Sequence, residues 1–265
     1  MTSYRVIRCE NGLCQTNNQE LISEEPFLLR VEGKPYSVVM RTPGEEIAHA
    51  AGFCLGEGLV DSYADFATIG YCRDMDPNLI EIRLTSDRRE KVSDILDRRG
   101  FISQTSCGIC GKEMVKDLYQ ALSPVEKEIQ IDRDQVMSCI EKLADNQSFY
   151  KITRGAHAAM ILDANLDILS FAEDVGRHNA LDKVIGKLLL TGRLNDASVV
   201  VLSSRISFEL VQKSARARLP IIVSISRPTA LAVDMGKTLN MTLANVKPPE
   251  IVIFCGEQRI QRITA

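Results

Sequence analysis

The sequence predicts an α/β protein, with an α/β layer over residues 131–265 and a smaller α+β subdomain over 1–130. Three observations lead there. From Ile152 onward, continuous Val/Ile/Leu runs of strand length alternate with helical stretches of about ten residues, as strands buried on both faces require. No proline falls between Pro124 and Pro220, which suits a compact unit starting near residue 130. The charge also divides there, with 15 Lys+Arg against 21 Asp+Glu in residues 1–130 and 17 against 14 in 131–265.

Each element has its own signal. Thr42-Pro43-Gly44-Glu45-Glu46 reads as a helix start, with Thr42 as N-cap, Pro43 at the first helical position and two glutamates against the positive helix end. Ile47, Ala50, Ala51 and Leu55 then recur at helical spacing as far as Gly56 and Gly58. Asn78–Leu84 reads as a strand. Helices are predicted over Met114–Leu122, closed by Ser123-Pro124, and over Asp132–Leu143, capped by Asp132. Next comes a hairpin, Ala158–Leu162 and Leu166–Phe171, turning at Asp163-Ala164-Asn165. The remainder alternates: helix Asn179–Leu190, strand Ser198–Leu202, helix Phe208–Ala217, strand Ile221–Ile225, helix Thr229–Leu239, strand Ile251–Phe254. A largely parallel sheet is the expectation.

The 265 residues are 45% apolar and 25% charged, which excludes disorder, collagen-like repeats and coiled coils as the main organisation. A chain this long buries a sizeable core without staples. Its eight cysteines, at 9, 14, 54, 72, 107, 110, 139 and 255, are therefore not needed for stability. They predict a reducing compartment and mostly buried, inert thiols, with one close pair left to explain. A net charge of −3 and pI near 5.8 offer no electrostatic footprint for duplex nucleic acid. The N-terminus lacks an apolar signal-peptide core, and the longest apolar runs, such as Val199–Leu202 and Pro220–Val223, are far too short for a membrane span. A cytoplasmic protein is expected.

In such a sheet, ligands bind beyond the carboxyl ends of the strands. Three predicted strand-to-helix segments fall there, Glu173–Asn179, Ser203–Ser207 and Ser224–Thr229, and each carries an arginine beside small or hydroxylic residues. Arg177, Arg205 and Arg227, with Lys183 nearby, could fork onto phosphate oxygens, and the helix starts at Asn179 and Thr229 add backbone donors. Solvated helix faces with surface ion pairs are the alternative. His178 either donates to a phosphate or holds a strand–helix corner. Asp174 and Asp182 read as internal partners.

The close pair lies in Ser106-Cys107-Gly108-Ile109-Cys110-Gly111-Lys112, a polar, glycine-punctuated segment read as a loop. Four readings compete: structural zinc, a dithiol–disulfide oxidoreductase, inert core cysteines, and a nucleophilic thiolate that carries a group. Zinc needs two further ligands at sensible spacing, and Cys9 with Cys14 is not a second tight pair. The oxidoreductase reading lacks a convincing thioredoxin-like β-α-β context, and the polarity argues against core thiols. A carried group requires an exposed thiol of lowered pKa on a mobile loop. Gly100, Gly108 and Gly111 supply mobility, while Lys112 and the following helix start would lower the pKa. Cys107 is the preferred nucleophile, although spacing does not choose between it and Cys110. Zinc deaminases also pair C-x-x-C with an α/β fold, but none of His49, His157 or His178 has Glu two residues on, and Ser106, not proline, precedes Cys107.

Longer motifs then converge. Glu173-Asp174-Val175-Gly176-Arg177-His178-Asn179-Ala180-Leu181-Asp182-Lys183-Val184-Ile185-Gly186 resembles the hallmark of the FdhD/NarQ family, the formate dehydrogenase accessory sulfurtransferases. So do Thr42-Pro43-Gly44 before a helix ending Gly56-Glu57-Gly58, the Ser106–Gly111 loop, the run from Ser204-Arg205-Ile206-Ser207, and Arg227-Pro228-Thr229-Ala230-Leu231-Ala232. The motifs span about residues 40–260 in the family's order. The resemblance implies a cytoplasmic sulfur carrier that receives sulfur from a cysteine desulfurase as a persulfide. It then passes that sulfur to the molybdenum bis(molybdopterin guanine dinucleotide) cofactor, or its tungsten counterpart, before insertion into formate dehydrogenase. It also implies a C-terminal cytidine-deaminase-like three-layer α/β/α domain without zinc, and a homodimer. Cys107 corresponds to the persulfide-bearing cysteine, with Cys110 secondary. The cofactor-contacting segment maps onto Val246, Lys247, Pro248, Pro249 and Glu250, where the family usually has an aromatic, a basic residue and glycine and this chain is one residue shorter. Arg177, His178, Arg205 and Arg227 complete the expected cofactor-binding set. A cofactor-binding chaperone without covalent sulfur chemistry, or a thiol–disulfide oxidoreductase, remain as alternatives.

Overall fold

The structure, a computed structural model, describes residues 1–71, 76–98 and 122–261. Cys72, Cys107 and Cys110 lie outside the described residues, as does all of the expected Met114–Leu122 helix except its last residue.

The chain opens with a two-stranded antiparallel hairpin, β1 (Thr2–Glu10) and β2 (Leu13–Leu21). A second sheet follows, built from β3 (Glu25–Val31), β4 (Lys34–Arg41), β5 (Phe66–Tyr71) and β6 (Leu79–Leu84) in the order β4-β3-β6-β5. Between its strands runs α1 (Glu46–Gly56), and after them come α2 (Ser86–Lys91) and α3 (Ser93–Arg98). Alternation sets the buried face of this sheet: Phe27, Leu29 and Val31 on β3 and Ile80, Ile82 and Leu84 on β6 all point into the core.

The remaining chain continues with β7 (Ile131–Asp132), α4 (Arg133–Asn146), α5 (Ser148–Thr153), β8 (His157–Leu162), β9 (Ile168–Asp174) and α6 (Arg177–Leu190). Then follow β10 (Val199–Leu202), α7 (Phe208–Arg216), β11 (Ile221–Ser224), α8 (Ala230–Thr238), β12 (Thr242–Lys247), β13 (Glu250–Cys255) and β14 (Ile260–Gln261). Six of these strands form one sheet in the order β13-β12-β11-β10-β8-β9, while β14 pairs with β7. Both faces are covered. Val200, Leu202 and Ile222 join the core beneath α6, α7 and α8. Val199, Val201, Ile221 and Val223 face the other way and pack with Val136, Cys139 and Leu143 of α4. That two-sided burial is why these strands read as unbroken apolar runs.

The sheet is mixed, not largely parallel. Only β10–β11 and β11–β12 pair in parallel; β8–β9, β8–β10 and β12–β13 are antiparallel. A strand buried on both faces looks the same in sequence whichever way its neighbour runs, so periodicity could not supply direction. Strand β12, absent from the sequence reading, carries Ala244-Asn245 in its middle, which weakens the strand signal of Thr242–Lys247.

The start of α1 also departs from expectation. The helix begins at Glu46, behind Glu45 at φ 65° and Gly44 at φ 111°. Thr42 is not its cap because the second half of the chain uses it completely. The Thr42 N–H donates to Asp174 Oδ2 (3.1 Å), its hydroxyl accepts from the Val175 N–H (3.0 Å), and its carbonyl accepts from Lys183 Nζ (2.8 Å). Further along, α1 crosses α6 with backbones nearly touching. A Cβ built on Gly52 would stand 1.9 Å from the Asp182 carbonyl oxygen, and one on Gly186 1.7 Å from that of Ala48. These contacts lock the first half of the chain against the helix that leaves the carboxyl end of β9.

Candidate functional site: an anion-facing sheet edge

Two antiparallel steps, β9 to β8 and β8 to β10, leave β9 pointing the same way as β10, β11 and β12. Their carboxyl ends therefore share one edge. Arg205 and Arg227 lie in turns at this edge and Arg177 is the first residue of α6 beside them, together with the Pro248-Pro249 turn between Lys247 at the end of β12 and Glu250 at the start of β13. The structure thus brings together every predicted cofactor-contacting residue among those it describes. Val246 is the exception in detail, since its side chain is buried in the α4-side core.

The turns are laced to one another. The Ile225 N–H donates to the Leu202 carbonyl (3.3 Å), the Thr229 N–H to that of Ile206 (3.0 Å), and Asn245 Nδ2 to that of Ser224 (3.1 Å). Ser224 Oγ donates to the Ser204 carbonyl, and Ser203 Oγ accepts from the Ala158 N–H (2.7 Å). The hydroxyls of Ser203, near Arg205, and Ser224, near Arg227, thus satisfy backbone groups at this edge. Thr229, at an expected helix start, caps α8, its side chain accepting from the Ala232 N–H.

Beneath the edge lies a buried ionic anchor. Asp174 is 0% and Lys183 2% exposed, joined at 2.7 Å. The carboxylate also accepts from the Gly176 N–H (2.8 Å) and from Asn179 Nδ2 (2.9 Å), which in turn donates to the Met40 carbonyl. Every bond fixes the Gly176-Arg177-His178 corner or ties it to Thr42. Asp174 is an internal partner, as expected, but Lys183 does not belong to the basic rim. A second buried pair joins Asp182 to Lys213 at 2.8 Å. Burial outweighs that pairing and pushes the Asp182 carboxyl up to about 6. His49, fully buried on α1 and stacked on Phe27, is held below its ordinary pKa by burial and then by Lys183, Lys213 and Arg41.

The rim differs in kind. Arg205 and Arg227 are exposed, whereas Arg177 is half-buried. Burial, then the like charge of Arg205, lowers the Arg177 pKa below the usual arginine value, and its Nε is enclosed without a hydrogen-bond acceptor among the described residues. Leaving such a donor unpaired costs about 1–3 kcal/mol, so the arrangement suits an incoming anion. His178 Nε2 contacts Glu209 Oε2 at 2.8 Å and Ser207 Oγ at 3.4 Å. One ring nitrogen cannot serve as both ends of a relay, so Ser207, His178 and Glu209 do not form a hydrolytic triad. His157, which the sequence reading did not select, opens β8 directly opposite Asp174. Burial, Arg177 and His178 keep its pKa low, and only the strand register reveals its place. No group of three or more metal-ligating side chains occurs among the described residues, and no helix among them is long and apolar enough to cross a membrane.

Fold and edge together define a three-layer α/β protein with three arginines gathered at one sheet edge. The model of the FdhD/NarQ family matches residues 22–261. A "Sulfur carrier protein FdhD" of Streptomyces avermitilis is 32% identical over 97% of this chain and 94% of its own length. One from Sulfurisphaera tokodaii is 34% identical over 90% of each. A crystal structure described as a putative formate dehydrogenase accessory protein from Desulfotalea psychrophila superposes with a TM-score of 0.78, at 23% identity, covering 98% of this chain and 99% of that one. The chain belongs to the FdhD/NarQ family.

Proposed function

We propose that this protein is a sulfur carrier serving formate dehydrogenase. Its Cys107 thiolate attacks the outer sulfur of a cysteine desulfurase persulfide. The desulfurase thiolate leaves, and Cys107–S–SH remains. The sheet edge meanwhile binds the diphosphates of the molybdenum bis(molybdopterin guanine dinucleotide) substrate through Arg177, Arg205 and Arg227. The outer sulfur passes to the metal as the S–S bond breaks and the Cys107 thiolate leaves, the reduced metal of the substrate supplying the two electrons. Cys110 assists at the loop. The protein acts in the cytoplasm as a homodimer.

The observation that carries this reading is Arg177, whose Nε has no hydrogen-bond acceptor among the described residues, beside the exposed Arg205. Two like charges held together, one with an unpaired donor, favour a multivalent anion. The curated relatives' name supplies the sulfur-carrying half of the proposal. The strand order β9-β8-β10-β11-β12, with β8 against the others, supports a deaminase-like origin for the second half.

Two experiments test it. Arg205→Ala and Arg177→Ala should each weaken guanosine diphosphate binding by about 10- to 100-fold, the equivalent of one charge-assisted hydrogen bond; unchanged affinity in calorimetry removes the residue from the site. Incubation with a cysteine desulfurase and 35S-cysteine should label the wild type and not Cys107→Ala. Full label on the variant refutes the carrier assignment, and a Cys107→Ala protein that still yields active formate dehydrogenase points instead to a chaperone.

A further inference from the structure

The β1–β2 hairpin precedes the matched family region, which begins at residue 22. At its tip Cys9 and Cys14 stand directly opposite each other, exposed and joined as a disulfide. They are therefore exposed and paired rather than buried free thiols, contrary to the sequence expectation for these two cysteines. The hairpin does not need the bond to turn. Asn11 and Gly12 supply the two positive-φ residues (52° and 80°) of a tight two-residue turn, and the strands pair along nine positions. A loop this short gains only about 2 kcal/mol from cross-linking in the chain-entropy account. The other described cysteines are placed oppositely. Cys54, Cys139 and Cys255 are buried, and burial raises each thiol's pKa, that of Cys139 to about 11. Thiolates are the reactive form, so among the described cysteines only the hairpin pair is available to a solute.

We propose that Cys9 and Cys14 form a second thiol site, independent of Cys107: an exposed dithiol that reduces small persulfides to sulfide and is restored by a dithiol reductant. In the first step one hairpin thiolate attacks the outer sulfur of a persulfide RS–SH. The RS–S bond breaks, RS⁻ leaves and takes a proton, and a cysteinyl persulfide forms. The opposed thiolate then attacks the inner, cysteinyl sulfur, closing the Cys9–Cys14 disulfide and expelling HS⁻, which is protonated. One sulfane sulfur gains two electrons, and the dithiol loses two. A dithiol reductant reopens the bond through a mixed disulfide, becoming a disulfide itself. The opposed register makes the second step possible, because a lone exposed cysteine would stop at the persulfide.

The test uses the full chain as Cys107→Ala/Cys110→Ala, so that hairpin chemistry is read apart from the carrier chemistry. The protein is reduced, freed of reductant and mixed anaerobically with glutathione persulfide. The expected result is about one sulfide released per chain, with the Cys9–Cys14 disulfide found by peptide mass mapping. Adding Cys9→Ser or Cys14→Ser should cut sulfide release at least tenfold. Re-reducing the unsubstituted hairpin with dithiothreitol, then removing it before a second dose of persulfide, should restore one further equivalent of release. Near-UV circular dichroism verifies that the serine variants keep the body of the fold. Sulfide release unaffected by the serine substitutions, or a hairpin still carrying two free thiols after the reaction, overturns the proposal. Neither result bears on the labelling of Cys107.

Discussion

Gly186→Ala sets two effects against each other. A glycine in the middle of α6 costs about 1 kcal/mol relative to alanine, so on propensity alone the substitution should stabilise. The crossing with α1 says otherwise. The new Cβ would lie 1.7 Å from the Ala48 carbonyl oxygen and 2.8 Å from the Gly52 nitrogen. Both neighbours are helix backbone and have no rotamer to escape into, so the helices must part by about 1 Å or more to reach even a tight contact. A radial gap of that size forfeits roughly a quarter to a half of each dispersion contact across the interface. For a layer equivalent to one buried leucine, with about 40–60 contacts of ~0.1–0.2 kcal/mol, the loss is about 1–6 kcal/mol. Taking about 3 kcal/mol and subtracting the propensity gain leaves a net destabilisation of about 2 kcal/mol, or roughly 4–8 °C in melting temperature. Urea denaturation of Gly186→Ala beside Gly70→Ala is the assay, because a Cβ at Gly70 meets nothing within 4 Å and should change stability by under about 0.5 kcal/mol. A Gly186→Ala protein as stable as the wild type would refute the close-crossing argument.

The buried ionic groups make two further predictions. Lys183→Met strands the fully buried Asp174 carboxylate and should cost about 3–5 kcal/mol, whereas Asp174→Asn/Lys183→Met should regain part of that loss; thermal melts of the three proteins decide it. Asp182 has a folded pKa of about 6, above its ordinary 3.8. Between those values the folded state holds the proton more tightly, so the Asp182 contribution to stability grows as pH falls from about 7 towards 4. The stability of the wild type relative to Asp182→Asn should accordingly improve between pH 7 and pH 5 in urea titrations, and a constant difference contradicts the burial-driven shift.

Much of the second half was legible because its signals are local. Helix α4 follows Asp132 as its cap, and Asp132 N–H donates to Gln135 three residues on. The hairpin β8–β9 turns at Asp163, whose carboxylate accepts from the Asn165 and Asp167 N–H groups. Strands β10 and β11 declared themselves by length and branching. The three arginine turns could be placed at one edge because strand-to-helix order already implies where carboxyl ends fall. Strand direction and the β12 strand were not legible, since each depends on which distant segment lies alongside; the N-terminal hairpin, by contrast, carries a local signal in Asn11-Gly12 that the sequence expectation did not use.

Thr42 and Lys183 show where the division lies. By its own neighbours Thr42 is a helix cap, and by its charge Lys183 is a rim residue; the tertiary fold spends both on Asp174, 132 and nine residues away in sequence. Residue type and spacing alone determined which strand ends carry the candidate arginines, because backbone conformation and helix starts are set within a few residues. Which of those charges face solvent and which are neutralised inside was decided by the tertiary structure. A charge becomes free or buried only through the partner that folding brings beside it.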